Sequence, residues 1–242
     1  MDLFRLRKAI SLMQIDPSIH TNADNYKILT NLVVPRPIAW VTTHSSAGLV
    51  NLAPFSFFNA VGSDPLYVVI SIGRRDDGSS KDTARNIEAS GEFVVNLVTE
   101  DLLAAMNISA VEFPPEESEL AAANLRTAGS VHIKTPRLAE AQASLECRLF
   151  QSEQLGANTL YIGEVVMFHV ADHLIGPRFH INNFAPIGRL GSPSIYCRTT
   201  DRFEIPRIGY AQWQNDSQAS RNQMNRESGR NGTARLTTGP IG

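Results

Sequence analysis

Three cations and four hydroxyls crowd one short stretch of the chain: Ser71, Arg74, Arg75, Ser79, Ser80, Lys81 and Thr83. A doubly charged phosphate needs several donors at one place, and this stretch supplies them compactly. Gly73 to Lys81 has the outline of a P-loop, but there the lysine directly follows the second glycine, and here two serines intervene. Nucleoside triphosphate binding is rejected on that ground. The stretch instead predicts a loop running into a helix over 81–90, stopped by Gly91. Ser79 or Ser80 is expected to cap that helix, whose free N–H groups and dipole favour an anion. Asp76 and Asp77 offset much of the positive charge, so a solvated surface loop stands as the alternative. Arg75 is expected to face solvent.

Asn51-Leu52-Ala53-Pro54-Phe55-Ser56-Phe57-Phe58 offers the complementary surface, flat, apolar and aromatic with small residues beside it. The two stretches together read as the walls of a site for a phosphorylated flat cofactor of the flavin type. Other chemistries lack their residues. No G-x-S-x-G nucleophile elbow is present. No G-x-G-x-x-G turn is present either, so any nicotinamide dinucleotide must bind transiently in an open cleft beside another cofactor. His169, Asp172, His173 and His180 are spaced too loosely for a metal motif, and no metal is expected. Cys147 and Cys197 belong to no C-x-x-C pattern and read as reduced thiols of a cytoplasmic protein.

The elements that must position these walls are mostly strands. Asn22 or Asp24 is expected to cap a helix through Leu32, ended by Pro35 and Pro37. Residues 36–43 and 49–55 form a hairpin around a turn at 44–48, which places the apolar stretch at a sheet margin. Leu66 to Ile72 and Glu92 to Val98 read as strands buried on both faces. Thr99 and Asp101 open a helix with Leu102, Leu103 and Met106. Phe113-Pro114-Pro115 begins a surface excursion, a lid or a long connection. Alternation returns from Ala143 and again over 159–170 after a turn at Gly156. Strands outnumber helices, which predicts a mainly β domain, a closed or nearly closed barrel with peripheral helices.

The 242 residues suffice for one sizeable core, and 22 basic against 24 acidic residues give a net charge of −2. That balance favours neither nucleic acid nor an anionic membrane. No apolar run reaches the ~20 residues of a membrane span. Leu3, Leu6, Ile10 and Met13 suit a short amphipathic helix in an extension over 1–21, and Met13 is an alternative start. The globular domain is expected over 22–210. Residues 211–242, rich in Gln, Asn, Ser, Arg, Gly and Thr, read as a disordered polar tail.

The hairpin Arg36-Pro37-Ile38-Ala39-Trp40-Val41-Thr42-Thr43, the stretch from Asn51 to Phe58, Lys81-Asp82-Thr83 with Asn86, and Leu160-Tyr161-Ile162-Gly163-Glu164-Val165 together resemble the flavin reductase-like family of FMN-binding split barrels, close to the flavoredoxins. The match runs in order from about Asp24 to Arg207. The resemblance implies a six-stranded Greek-key split β-barrel, a homodimer and FMN near the subunit interface. It implies that Ala53, Pro54, Phe55 and Ser56 line the isoalloxazine and that Ser71, Gly73, Arg74, Lys81, Asp82 and Thr83 surround the phosphate, with Arg36 at the ring edge. The segment of Arg189, Leu190, Gly191 and Tyr196 resembles the family's closing segment. Where many members carry a histidine, this chain has Asn158, which puts NAD(P)H use in question. Three functions stay open: an NADH- or NADPH-dependent flavin reductase serving a partner oxygenase, a flavoredoxin-like electron carrier, and a flavin-binding protein without turnover. None requires an acid–base pair on the protein.

Overall fold

Alternation along strand β1 (Ala39–His44) divides the interior in two. Ala39 and Val41 point into one core with Val68, Ile70, Phe93, Val95 and Tyr161. Ile38 and Trp40 point into a second with Leu52, Val98, Leu102, Met106 and Leu138. A strand's side chains alternate between its faces, so one apolar run serves both cores. The computed structural model describes residues 10–114, 117–191 and 193–219.

β2 (Val50–Phe55), β3 (Phe58–Ser63), β4 (Leu66–Gly73) and β5 (Glu92–Leu97) follow in the chain, with short strands β6 (Thr127–Ala128) and β7 (Arg137–Leu138), the long hairpin of β8 (Ala143–Leu155) and β9 (Asn158–Val170), and the short pair β10 (Gly188–Arg189) and β11 (Tyr196–Cys197). Seven of them form one antiparallel sheet in the order β2-β1-β5-β8-β9-β4-β3. The expected count of six strands is thus corrected to seven, and the sheet is not closed. The additional strand is β3. It begins at Phe58, with only two residues between it and the end of β2, inside a stretch that the sequence presents as one ligand-facing run.

Helix α1 (Asn22–Leu32) is capped by Thr21, not by Asn22 or Asp24: its hydroxyl accepts from the Asp24 N–H at 3.1 Å. Helix α2 (Asp82–Ser90) ends at Gly91, which adopts φ 68° and donates its N–H to the Ile87 carbonyl at 2.8 Å. That left-handed turn is the reason a glycine stands there. A 3-10 turn over Glu100–Leu102 leads into α3 (Leu103–Ile108), and α4 (Glu119–Ala122) follows the excursion. The expected amphipathic helix at the start falls mainly outside the described residues, and 10–16 have no regular structure.

Residues 201–219 belong to a second compact unit. The expected disordered tail is helical over 210–219, where Tyr210 and Trp213 stack with ring centroids 5.7 Å apart, one helical turn from each other. Residues 220–242 lie outside the described ones. Among the described residues no helix is long and apolar enough to cross a membrane.

Candidate flavin site

The two edge strands of the large sheet, β2 and β3, are joined only by Ser56 and Phe57. These residues therefore bridge the open seam of the sheet. Ser71 at the end of β4 donates its N–H to the Phe57 carbonyl at 2.8 Å, which fixes the bend against the neighbouring strand. Pro54 and Phe55, just before the bend, form a ledge between two cavities of about 100 and 430 Å³.

The smaller cavity brings cations and carboxylates together. Ala53, Arg75, Lys81, Asp82, Thr83, Glu112 and Glu119 line it together with the ledge. Lys81 occupies the cap position of α2 itself, displacing Ser79 and Ser80 from that expected role, and no side chain caps the helix. Free N–H groups of the first turn and the positive end of the dipole are thus left for an anion. Lys81 stands 3.7 Å from Glu112, and both side chains are substantially exposed. Asp82 is turned toward two guanidinium groups, Arg75 and Arg85, so its charge is matched locally. Asn86 donates to Thr43 Oγ1 at 3.1 Å and seats α2 on β1.

Arg75 contradicts its expected solvent position: its side chain is only 21% exposed and is held by Asp82. Sequence reasoning also passed over Glu119. Its carboxylate accepts the Leu52 N–H at 3.2 Å, and burial, partly opposed by that bond, pushes its pKa up. The helical turn Glu119–Ala122 after the prolines was the signal available for it. Such an acid tolerates its place because the edge N–H of β2 satisfies it.

The larger cavity is lined by Tyr26 and Thr30 of α1, Arg36 and Ile38 before β1, the Pro54–Ser56 wall, Met106 and Asn107 of α3, and Arg189, Gly191 and Tyr196 from the closing segment. Arg36 is buried. It donates to the carbonyls of Thr30, Val33 and Leu190 and to Ser56 Oγ. It braces α1, the closing segment and the bend against one another, and its guanidinium lies 6.0 Å from the Phe57 ring. Burial lowers its pKa; Tyr26 opposes that shift and Arg189 adds to it.

The excursion after α3 forms the remaining wall, as Ser109 to Phe113 face the smaller cavity. Its foot is pinned inside the protein. Trp40 Nε1 donates to Ser109 Oγ at 2.8 Å, and both residues are buried. Residues 115 and 116 of this segment lie outside the described ones.

Of the expected site residues, Arg36 and Ser56 face the larger cavity, Ala53, Lys81, Asp82 and Thr83 the smaller, and Pro54 and Phe55 both. Ser71, Gly73 and Arg74 lie at and just beyond the end of β4. Ser71 Oγ accepts from Asn158 Nδ2 at 3.0 Å, Gly73 pairs with Asn158, and Arg74 donates to the Gly78 carbonyl at 3.1 Å. Of the histidine group, His169 contacts Glu146 at 2.6 Å, and no cluster of three or more metal-ligating side chains occurs among the described residues.

A family model for the flavin reductase like domain matches residues 31–199. An uncharacterized protein of Deinococcus radiodurans is 41% identical over 202 residues, 80% of this chain and 89% of its own. Among solved structures, nitrilotriacetate monooxygenase component B from Bacillus cereus is 38% identical with a TM-score of 0.78, covering 81% of this chain and 100% of that one. The 2-nitrobenzoate 2-nitroreductase of Pseudomonas fluorescens is 35% identical with a TM-score of 0.75, covering 82% and 98%. Flavoredoxin of Desulfovibrio vulgaris, at 16% identity and a TM-score of 0.65 over 74% of this chain and 94% of its own, shares the fold. With the family match spanning the seam, the smaller cavity, most of the larger one and the closing segment, this chain belongs to the flavin reductase like domain family.

Proposed function

We propose that the protein binds FMN across the ledge and reduces flavin with NADH or NADPH, acting as an NAD(P)H:flavin oxidoreductase. The observation that carries this reading is the uncapped N-terminus of α2, with Lys81 and Thr83, at one side of the flat Pro54–Phe55 ledge. This donor set fits a phosphate, and the ledge fits a ring. Bound FMN would supply a ring that accepts a hydride and returns electrons singly or in pairs.

The chain's own residues bind, orient and enclose. Lys81, Thr83 and the first turn of α2 hold the phosphate, with Ser71, Gly73 and Arg74 proposed as its opposite flank, because the loop from Arg74 leads directly into Lys81. Ala53, Pro54, Phe55 and Ser56 support the ring. Arg36 fixes the height of the bend by its four hydrogen bonds, and the Ser109–Phe113 segment limits access of water.

A partner oxygenase is proposed as the consumer of reduced flavin, in keeping with the component B name of the Bacillus cereus relative. A homodimer is proposed as well. Phe55 and Phe58 pack against the core, and Phe57 lies against Tyr26. Val61, Leu66 and Phe150 are among the large apolar side chains left exposed, and they are proposed as the dimer interface.

Anaerobic titration with NADH and with NADPH, followed by flavin absorbance, tests the reading. Rapid bleaching with either nucleotide is expected. Bleaching only by a protein donor identifies an electron carrier instead, and protein that takes up no flavin removes both.

A further inference from the structure

The larger cavity holds two guanidinium groups, Arg36 and Arg189, and among the described residues that line it there is no carboxylate. Neither arginine is in an ion pair with another described side chain. Like charges sharing a partly desolvated space repel, and an arginine does not relieve that by losing its proton. An anion in this space would offset that repulsion.

The two arginines differ in what they offer it. The N–H groups of Arg36 are directed to carbonyls and to Ser56, so Arg36 contributes charge and rigidity. Arg189 lies over the Tyr196 ring, 4.7 Å from its centroid, and donates to Tyr196 Oη and, at 2.7 Å, to the Pro193 carbonyl. A guanidinium carries five N–H groups, so Arg189 retains donors for a ligand. Tyr26, Phe55, Met106 and Tyr196 supply flat or apolar wall, beside the polar Thr30, Ser56, Asn107 and Ser194. A volume of about 430 Å³ accommodates a small ring compound with its substituents.

We propose that this cavity is a subsite for a flat aromatic carboxylate, with Arg189 as its counterion and aromatic side chains as its walls. The cavity abuts the ledge proposed for the flavin ring, so its occupant would lie beside that ring. The role of the occupant as a second redox substrate rests on the flavin reading; its binding does not.

Benzoate and its neutral isostere benzamide are the probes, with binding to the full-length protein measured by equilibrium dialysis before flavin is added. Flavin uptake is measured separately, so failure of the flavin reading does not decide this one. Benzoate is expected to bind at least about tenfold more tightly than benzamide, as a charge-assisted bidentate contact would give. Arg189→Gln should bring the two affinities together by weakening benzoate alone, and Arg189→Lys should keep a preference for benzoate. Equal affinities in the wild-type protein, no binding of either probe, or an unchanged preference in Arg189→Gln would overturn the proposal. If Arg189→Gln abolishes binding of both probes, Arg189→Lys decides. A retained preference for benzoate supports the subsite, and a lost one refutes it.

Discussion

Removing the Lys81 ammonium should weaken FMN and leave riboflavin almost untouched. A charge-assisted contact to a phosphate contributes about 1.5–3 kcal/mol. The side chain is 38% exposed and shared with Glu112 at 3.7 Å, so screening and competition reduce that figure. A loss of about 1–2 kcal/mol, roughly five- to thirtyfold in FMN affinity, is the expectation for Lys81→Ala. Part of it comes from Glu112, whose unmatched carboxylate would then face the incoming phosphate. Riboflavin has no phosphate, so fluorescence-quench titration of both ligands separates phosphate binding from a general fold defect. Arg75 is unsuitable as the matched control, because its bond to Asp82 makes it part of the loop's structure. Lys134, exposed on the far loop, serves instead. Equal losses for both flavins, or no loss for either, would refute the assignment of this loop as the phosphate site.

Three further outcomes are expected. Burial raises the Glu146 pKa, but hydrogen bonds from His169 and the N–H groups of Val131 and His132 outweigh it and hold the pKa below the ordinary 4.5. Because the folded pKa is depressed, this contribution is complete above the ordinary value and is lost as pH falls through the folded one; Glu146→Gln should destabilise by about 2–3 kcal/mol at neutral pH and flatten the acid limb of urea-denaturation stability. A Cβ at Gly163 would collide with the buried Phe93 ring, so Gly163→Ala should lower stability by about 1–3 kcal/mol, with partial recovery in Gly163→Ala/Phe93→Leu on thermal denaturation. Sedimentation should give a homodimer that Phe150→Lys disrupts, Phe150 being 58% exposed; a wild-type monomer with full flavin occupancy rejects the proposed interface.

Much of the scaffold was legible because each strand carries its own signal. The apolar run over 66–72 marks β4, although its residues are buried alternately and not on both faces as expected, and the alternation of Leu145, Cys147 and Leu149 has the period of a strand and lies in β8. Lys81, Thr83 and the Pro54–Phe55 ledge were legible through residue type: hydroxyls and cations beside a helix start, apolar residues at a strand end. What escaped depended on the third dimension. Arg36 invites the reading of a ligand contact because it is a cation beside a binding stretch, but the carbonyls of Thr30 and Val33 just before it and of Leu190 across the fold take most of its donors. Arg75 looked solvated because nothing local reveals that Asp82 turns back to meet it. The strand beyond the break at Ser56 and Phe57 was hidden for another reason: residues 49–55 read as a strand, but Phe58 to Ser63, with Asn59, Gly62 and Ser63, has no continuous apolar run to mark a second sheet edge.

That break is what shapes the candidate site. Unpaired edges present N–H and C=O groups that invite aggregation unless they are covered or used. Here the bend brings the ends of β2 and β3 together, and Glu119 from the excursion accepts the Leu52 N–H of β2. The ledge is therefore backbone held from several sides: by Ser71 through Phe57, by Arg36 through Ser56, and by the second core through Leu52. A flat ligand on such a ledge meets a surface that does not yield, and preorganisation of this kind improves affinity without additional contacts. The excursion pinned by Trp40 and Ser109 adds a wall whose mobility is restrained at its foot. The second core and the wall of the smaller cavity consequently share Trp40: its indole fills that core and holds the segment that encloses the cavity.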